Sequence, residues 1–505
     1  MKKIAVLLLS ASLLASCDSF LDLPKEHEPS SNNYFKTQAD FENLVVGAYQ
    51  PLRAVYGWNN FICGEMRSDN THYEYYPKFG GDEPGHRQDI CNFMDGDLNN
   101  YSNGLFNDAF NGVSKTNVII SRMHNGIPEG ARTQILSEAR FLRALYYYNL
   151  VRFFGEVPLH LKEVTSAAEA AKGKSPVTEI FAAIEDDLIN AVAVLPKVSG
   201  FPQSGRATKG AAETLLASVY LYQKKYDAAI PLLEEVTKEG YGLLTEYADV
   251  FKTGNKNSKE SIFEVQFKEG PEGHHSDYLY RMLPKSTNHV AILGLDKSEN
   301  IKHGGLNVPT PDLLRSYESG DKRFEASVKV VEGSIKDDDF VSERVVSPLN
   351  YQPQEGVAYR YMCAKYMNPH AVLNQCGDDW PVFRYADVLL MLAECYNESS
   401  TKRDAGKALG YLKEVRTRAG LSTSDVSDQA ALRSLIDHER RVELAFENHR
   451  WHDLVRTGQA VEVMNAHGVE MKRLYEYLPA AAYNVTAARL TFPIPYRESI
   501  WNPEL

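Results

Sequence analysis

The stretch HERRVELAFENHRWHDLVR, residues 438–456, sets four acids, four arginines and three histidines within nineteen positions. Carboxylates beside bases invite an acid–base reading, but the spacing gives another. At 100° per residue, Leu435, Glu439, Val442 and Phe446 fall on one helical face, with Glu443 at its edge and Glu447 further round. Glu439 and Glu443 therefore turn inward. A buried carboxylate is costly unless it is paired and hydrogen-bonded. Arginines for that pairing are present at Arg416 and Arg418 in VRTRAG, at Arg384, and locally at Arg440 and Arg450. The spacing predicts a structural salt-bridge network of Glu439, Glu443, Arg416 and Arg418 that locks the last helices to the remainder of the chain. A glycosidase pair is the functional alternative, with two carboxyls roughly 5–10 Å apart across a cleft. Helix neighbours meet that distance, yet a packed helix admits no sugar. The surrounding arginines would also hold both acids ionised, the wrong state for a general acid. No catalytic residue is expected.

The 505 residues are enough for one very large domain or two to three ordinary ones, and the 43% hydrophobic content supports a sizeable core. The first segment, MKKIAVLLLSASLLASC, has two lysines, an apolar run from Ile4 to Ala15, then small residues. That is the pattern of a secretory signal peptide over residues 1–16. Its end, LLASC, resembles a bacterial lipobox and implies cleavage before Cys17 and acylation of that thiol. Each buried acyl CH₂ adds about 0.8 kcal/mol of membrane affinity. Residues 17–36, polar and proline-bearing, form the lipid-anchored tether. No other apolar run reaches membrane-spanning length. Loss of Lys2 and Lys3 takes the formal charge of −12 to −14. An acidic body argues against nucleic acid or an anionic membrane surface as partner. Five cysteines remain after Cys17, none in a CxxC pair, so no zinc site of that kind is expected. The compartment permits disulfides. Cys63 with Cys91 and Cys363 with Cys376 are the sequence-local options, and Cys395 reads as a buried helix cysteine.

Helical spacing begins at 37–56, through Phe41, Leu44, Val45, Ala48 and Leu52. Residues 57–88 then lose any period and are rich in Gly, Asn, Pro and aromatics, which predicts a long functional loop. A helix is expected over 137–159 with Ser137 as N-cap and a stop at Gly155. Another is expected over 175–196, entered at Pro176. GRATKGAAETLLASVYLYQKKYDAAIPLLEEVTKEG (205–240) is a helix, a turn at Lys224–Tyr226 and a second helix. Its small residues Ala211, Ala212 and Ala217 allow close helix approach. The unit resembles a tetratricopeptide repeat, as does 385–420. Between them, residues 255–380 are turn-rich, and ESIFEVQF alternates like a strand. The fold class is therefore mostly α: a tetratricopeptide-repeat-like helical scaffold with a loop-rich, partly β ligand-binding portion. Three regions are expected: 37–254, helical with an aromatic loop at 57–100; 255–380, a loop-rich insertion; and 381–505, completing the scaffold.

The segments EARFLRALYYYNLVRFFGEVPL, GRATKGAAETLLASVYLY, RYADVLLMLAECYNE, VRTRAG, ERRVELAFENHRWHDLVR and FPIPYRESIWNPEL stand in this order behind the lipobox. In that order they resemble the SusD/RagB family of outer-membrane nutrient-binding lipoproteins, from Cys17 to Leu505. The resemblance implies a binding protein and not a catalyst. It implies a cell-surface lipoprotein of the outer membrane, partnered with a SusC-like TonB-dependent transporter. Such proteins capture glycans, or in some branches peptides, and deliver them to the barrel. Ligand residues vary widely in the family, so the resemblance transfers none of them.

Candidate ligand residues come from composition instead. Sugar rings stack on aromatic faces, while acids, amides and arginines bond the hydroxyls. The region 57–88 offers Trp58, Arg67, Asp69, Asn70, Tyr73, Tyr75 and Tyr76, with His72 among them. EGPEGHHSDYLYR (269–281) offers His275, Tyr278 and Tyr280. The adjacent His274 and His275 do not make a three-ligand metal set, and no HExxH accompanies them. No cofactor is expected. The acidic loop GGDEPG (80–85) has the oxygen ligands that calcium takes. The sequence predicts a surface protein that captures oligo- or polysaccharide. Its alternatives are peptide or glycoprotein-derived ligands, a lipid-anchored glycosidase, and a purely structural repeat protein.

Overall fold

The computed structural model describes residues 35–75, 82–294, 304–502 and 504–505. The signal peptide, Cys17, Tyr76, Gly80 and Gly81 lie outside the described residues.

Helices carry the scaffold. Gln38–Tyr49 begins with a capping box at Thr37 and Asp40, and it packs on Asn100–Arg122 and Glu129–Phe154. The 100–122 and 129–154 helices come close enough that a Cβ on Gly112 would lie 2.2 Å from the Tyr146 ring. Only glycine fits there. The 129–154 helix then packs on Val177–Val194, which packs on Lys209–Tyr222. Lys209–Tyr222 and Tyr226–Val236 form the expected hairpin, and Tyr385–Glu398 and Ala405–Arg418 form its counterpart. The two hairpins meet where 226–236 packs on 385–398, and Tyr396 Oη donates to Glu234 at 2.5 Å. Ala211, Ala212 and Ala217 are all buried along this route.

The longer strands lie between Ser261 and Arg384. Ser261–Val265 pairs antiparallel with Trp380–Arg384. Val328–Lys336 is the centre of a three-stranded sheet, with Asp339–Val346 on one side and Ala358–Cys363 on the other.

Three local expectations are corrected. The helix containing 137–154 starts at Glu129 after Pro128, and Ser137 is a buried mid-helix residue. Proline with an acid in the first turn provides the start instead. The region 57–88 is not one loop. Helical turns run from Pro51 to Cys63, and Asp82–Asn92 is a helix. Burial of Phe61, Ile62 and Cys63 in the core outweighs the poor helical composition. Finally, 438–456 is not one helix. Gln429–Glu443 ends at Glu443, Phe446 and Asn448 have φ of +68°, and a new helix runs Arg450–Thr457.

That break serves the ionic network. Glu439 accepts from Arg323 and, at 2.9 Å, from Arg416. Glu443 accepts from Arg418, from Arg384 at 3.1 Å and from Arg323 at 3.2 Å. Glu447, turned inward by the break, binds Arg384 at 2.6 Å and Lys365 at 2.7 Å. Glu260 receives Arg384 at 2.8 Å and Arg418 at 3.0 Å. The turn itself is held by Glu65, which accepts from the amides of Phe446 (2.9 Å) and Asn448 (2.8 Å). Glu439, Glu443 and Arg323 are completely buried. Burial alone would raise the Glu443 carboxyl, but Arg418, Arg384, Arg323 and Lys365 together hold it at about 2.

All five cysteines in the body, Cys63, Cys91, Cys363, Cys376 and Cys395, are free and buried. Neither sequence-local disulfide forms. Burial raises each thiol, which keeps it protonated and unreactive. A thiol reagent is expected to modify none of the five in native protein and all five after denaturation.

Glu443 is ionised in the fold well below its unfolded value of 4.5. Its contribution is therefore complete above about pH 4.5 and is lost as the pH falls toward about 2. Urea unfolding at a series of pH values should show the midpoint dropping through that window. Glu443→Gln should cost about 3–5 kcal/mol near neutrality, and its deficit against the wild type should shrink as the pH falls. A constant deficit would contradict the assignment.

Candidate ligand-binding surface

Most sequence-selected ligand residues face inward. Arg67 is fully buried; it pairs with Asp95 at 2.5 Å and lies between the Phe93 and Phe492 rings, each 4.3 Å from its guanidinium carbon. Asp69 is buried against Arg450 at 2.8 Å and Arg441 at 3.1 Å. Burial raises its carboxyl, and the two arginines more than reverse this, leaving it well below the usual range. Asn70 donates to Glu65 at 3.1 Å and accepts from Arg441 at 2.8 Å. Tyr278 has no exposed surface, and its hydroxyl donates to the Asp378 carbonyl at 2.7 Å. Tyr280 is buried and hydrogen-bonded to His370. Tyr73 is buried beside Arg87. These six residues are corrected from ligand contacts to structural ones. Their density in polar and aromatic groups reflects a buried network, which a sequence pattern does not separate from a binding site.

Trp58, Tyr75 and His275 keep partial exposure. Trp58 sits beside Tyr101, with ring centroids 5.7 Å apart, and the Arg281 guanidinium covers one of its faces. Arg281 is itself held by Asp277 at 2.9 Å. His275 donates from Nδ1 to the Gly270 carbonyl at 3.3 Å. Asp82–Asn92, which takes up the end of GGDEPG, is helical. Among the described residues no group of three His, Cys, Asp or Glu side chains is arranged to hold a metal.

Tyr75 gathers a surface that the sequence did not suggest. Thr71 and His72 pair antiparallel with Pro309 and Val308, and the Glu74 amide donates to the Gly305 carbonyl at 2.8 Å. This extended stretch presents Tyr75 against Tyr477, with centroids 5.6 Å apart. Tyr477 is followed by Tyr475 at 5.7 Å. The Tyr475 hydroxyl shares a hydrogen bond with His72 Nε2 at 2.8 Å. Burial lowers His72 to about 3 and raises Tyr475 to about 12, so both are neutral across the physiological range. Glu74 pairs with Arg360 at 2.5 Å. Tyr477 is 39% exposed, the most open ring of the group. Three rings with an acid and a guanidinium beside them form a half-apolar, half-polar surface.

Tyr475 and Tyr477 leave the 460–474 helix at its C-terminal end, some four hundred residues from Tyr75. One sequence signal could have found them: the triplet Tyr-Glu-Tyr occurs at both 73–75 and 475–477.

With this geometry in place, comparison with known proteins gives the family. A model described as the SusD family matches residues 259–505, and one described as starch-binding associating with outer membrane matches residues 19–221. A SusD-like protein, P25, of Formosa agariphila is 26% identical over 97% of this chain and 95% of its own. The starch-binding protein SusD of Bacteroides thetaiotaomicron is 25% identical over 66% of each. A solved structure named as a laminarin-binding SusD-like protein superposes with a TM-score of 0.71 at 26% identity, covering 92% of this chain and 98% of that one. The chain belongs to the SusD-like family. Among the described residues no helix is long and apolar enough to cross a membrane.

Arg67→Ala should destabilise the protein by about 3–5 kcal/mol, because it strands Asp95 in the core. Tyr477→Ala, at the surface, should stay within about 0.5 kcal/mol of the wild type. Urea denaturation of the two variants side by side checks this, and equal stabilities would contradict the division into core and surface.

Proposed function

We propose that this protein is a cell-surface glycan-binding lipoprotein that captures oligo- or polysaccharide and hands it to a SusC-like TonB-dependent transporter of the outer membrane. The Tyr75–Tyr475–Tyr477 surface carries this reading. Its rings suit the C–H faces of sugars, and its hydroxyls, with Glu74 and Arg360, suit sugar hydroxyls. The names of relatives support the ligand class: one is a starch-binding protein and another binds laminarin. Anchorage would come from Cys17, as the LLASC motif suggests. Shallow, multi-contact stacking favours the modest affinity that a protein passing its ligand onward requires.

The placement of the acids in the last helices supports binding over catalysis. Glu439 and Glu443 are buried among arginines, out of reach of a sugar, and the arginines around Glu443 hold it ionised. On the exposed aromatic surface Glu74 is paired with Arg360, and Glu476 stands exposed between Tyr475 and Tyr477.

Calorimetric titration with laminarin, amylose and xylan tests the reading. At least one should bind, and Tyr477→Ala and Tyr75→Ala should each weaken it by about tenfold, or about 1.4 kcal/mol. None of the three should be cleaved on prolonged incubation. Full affinity in both variants would move the site elsewhere, and the appearance of shortened products would overturn the binding reading.

A further inference from the structure

The strand Ala358–Cys363 is the outer strand of its sheet, and it sends Arg360 to one face and Tyr359 and Tyr361 to the other. Arg360 reaches Glu74 beside Tyr75, and its guanidinium lies 5.1 Å from the Phe340 ring centroid. On the opposite face, Tyr359 and Tyr361 have ring centroids 5.9 Å apart at 89°. Tyr351, from the connection between the strands, closes on them at 5.5 Å and 6.2 Å. All three rings are only partly buried.

Polar groups flank them. Glu332 lies opposite Tyr359 on the neighbouring strand and pairs with Arg344 at 2.5 Å. The Arg344 side chain is 61% exposed. Further along this face Val328 and Cys363 enter the main core, so the tyrosines occupy its outer end. Burial and the Glu332 charge push the Tyr351 hydroxyl up to about 12, which keeps its proton available. Aromatic rings, a carboxylate and a guanidinium are again together, as at Tyr75, across the same strand.

We propose that Tyr351, Tyr359 and Tyr361 form a second sugar-stacking patch, reached by one polysaccharide chain that passes over the 358–363 strand from the Tyr75–Tyr477 surface. The inference rests on the glycan-binding reading above and adds a ligand preference to it. The second patch is three rings across, enough for a short oligosaccharide, and a chain that meets both patches must also round the strand between its two faces. The second contact is then intramolecular, and affinity rises with chain length without any new contact at the first patch.

Titration of the wild type with laminarin and with laminaritriose tests this. Laminarin should bind more tightly per chain. Tyr351→Ala and Tyr359→Ala should each weaken laminarin about fivefold to tenfold and leave laminaritriose unchanged; the retained trisaccharide affinity also reports an intact fold. Tyr477→Ala should weaken both ligands. Unchanged laminarin affinity in Tyr351→Ala and Tyr359→Ala overturns the second patch and leaves the first standing. Equal weakening of laminaritriose also overturns it, since the tyrosines would then belong to one site. A wild type that binds none of laminarin, amylose and xylan removes the glycan reading and the second patch together.

Discussion

The buried pairing of Glu443 with Arg384, Arg418 and Arg323 is the constraint on which the fold depends. Each arginine comes from a different part of the chain: Arg323 from the central portion, Arg384 from the strand that pairs with 261–265, and Arg418 from the end of a scaffold helix. With Glu447 and Lys365 they join the β portion to the last helices at one point. Such a cluster contributes less to net stability than an apolar core of equal volume, because every charge has been desolvated. Its value is positional. A misplaced helix would leave a bare charge in the interior, so the network admits one arrangement of these segments.

The same logic separates structure from function across the molecule. Arg67, Asp69 and Asn70 have the chemistry of sugar recognition, but each is buried against protein partners. Tyr75, Tyr475 and Tyr477 are poorer in hydrogen-bonding groups but present surface. The Tyr75 surface is held from below: the 72–75 stretch is tied by backbone pairing, and Glu74 is tied to Arg360. The buried ionic groups therefore fix the scaffold and leave the half-exposed rings at the surface.

Much of the fold was legible in the sequence, because it rests on periodicity and punctuation. The hairpins at 209–236 and 385–418, the stop at Gly155 and the strand at 261–265 follow from apolar spacing, glycine and alternation. The inward turn of Glu439 and Glu443 was also legible. Arg323 was not, since its pairing with Glu439 spans 116 positions and no local pattern marks it. The helical turns at 57–63 were hidden because tertiary burial, not propensity, stabilises them. Of the proposed surface, composition picked out Tyr75 alone, and Trp58 lies elsewhere, beside Tyr101 and Arg281. Tyr475 and Tyr477 were missed because they join Tyr75 only once the chain has folded back on itself. Composition also selected six buried residues, since polar and aromatic density marks buried networks and ligand sites alike.

The most direct test of this division is hydrogen–deuterium exchange of the protein with and without saturating laminarin. Protection is predicted in 71–75 and 475–478, with exchange in 438–456 already slow and unchanged by the sugar. Protection confined to 438–456, or none at the two Tyr-Glu-Tyr segments on a bound protein, would contradict the account.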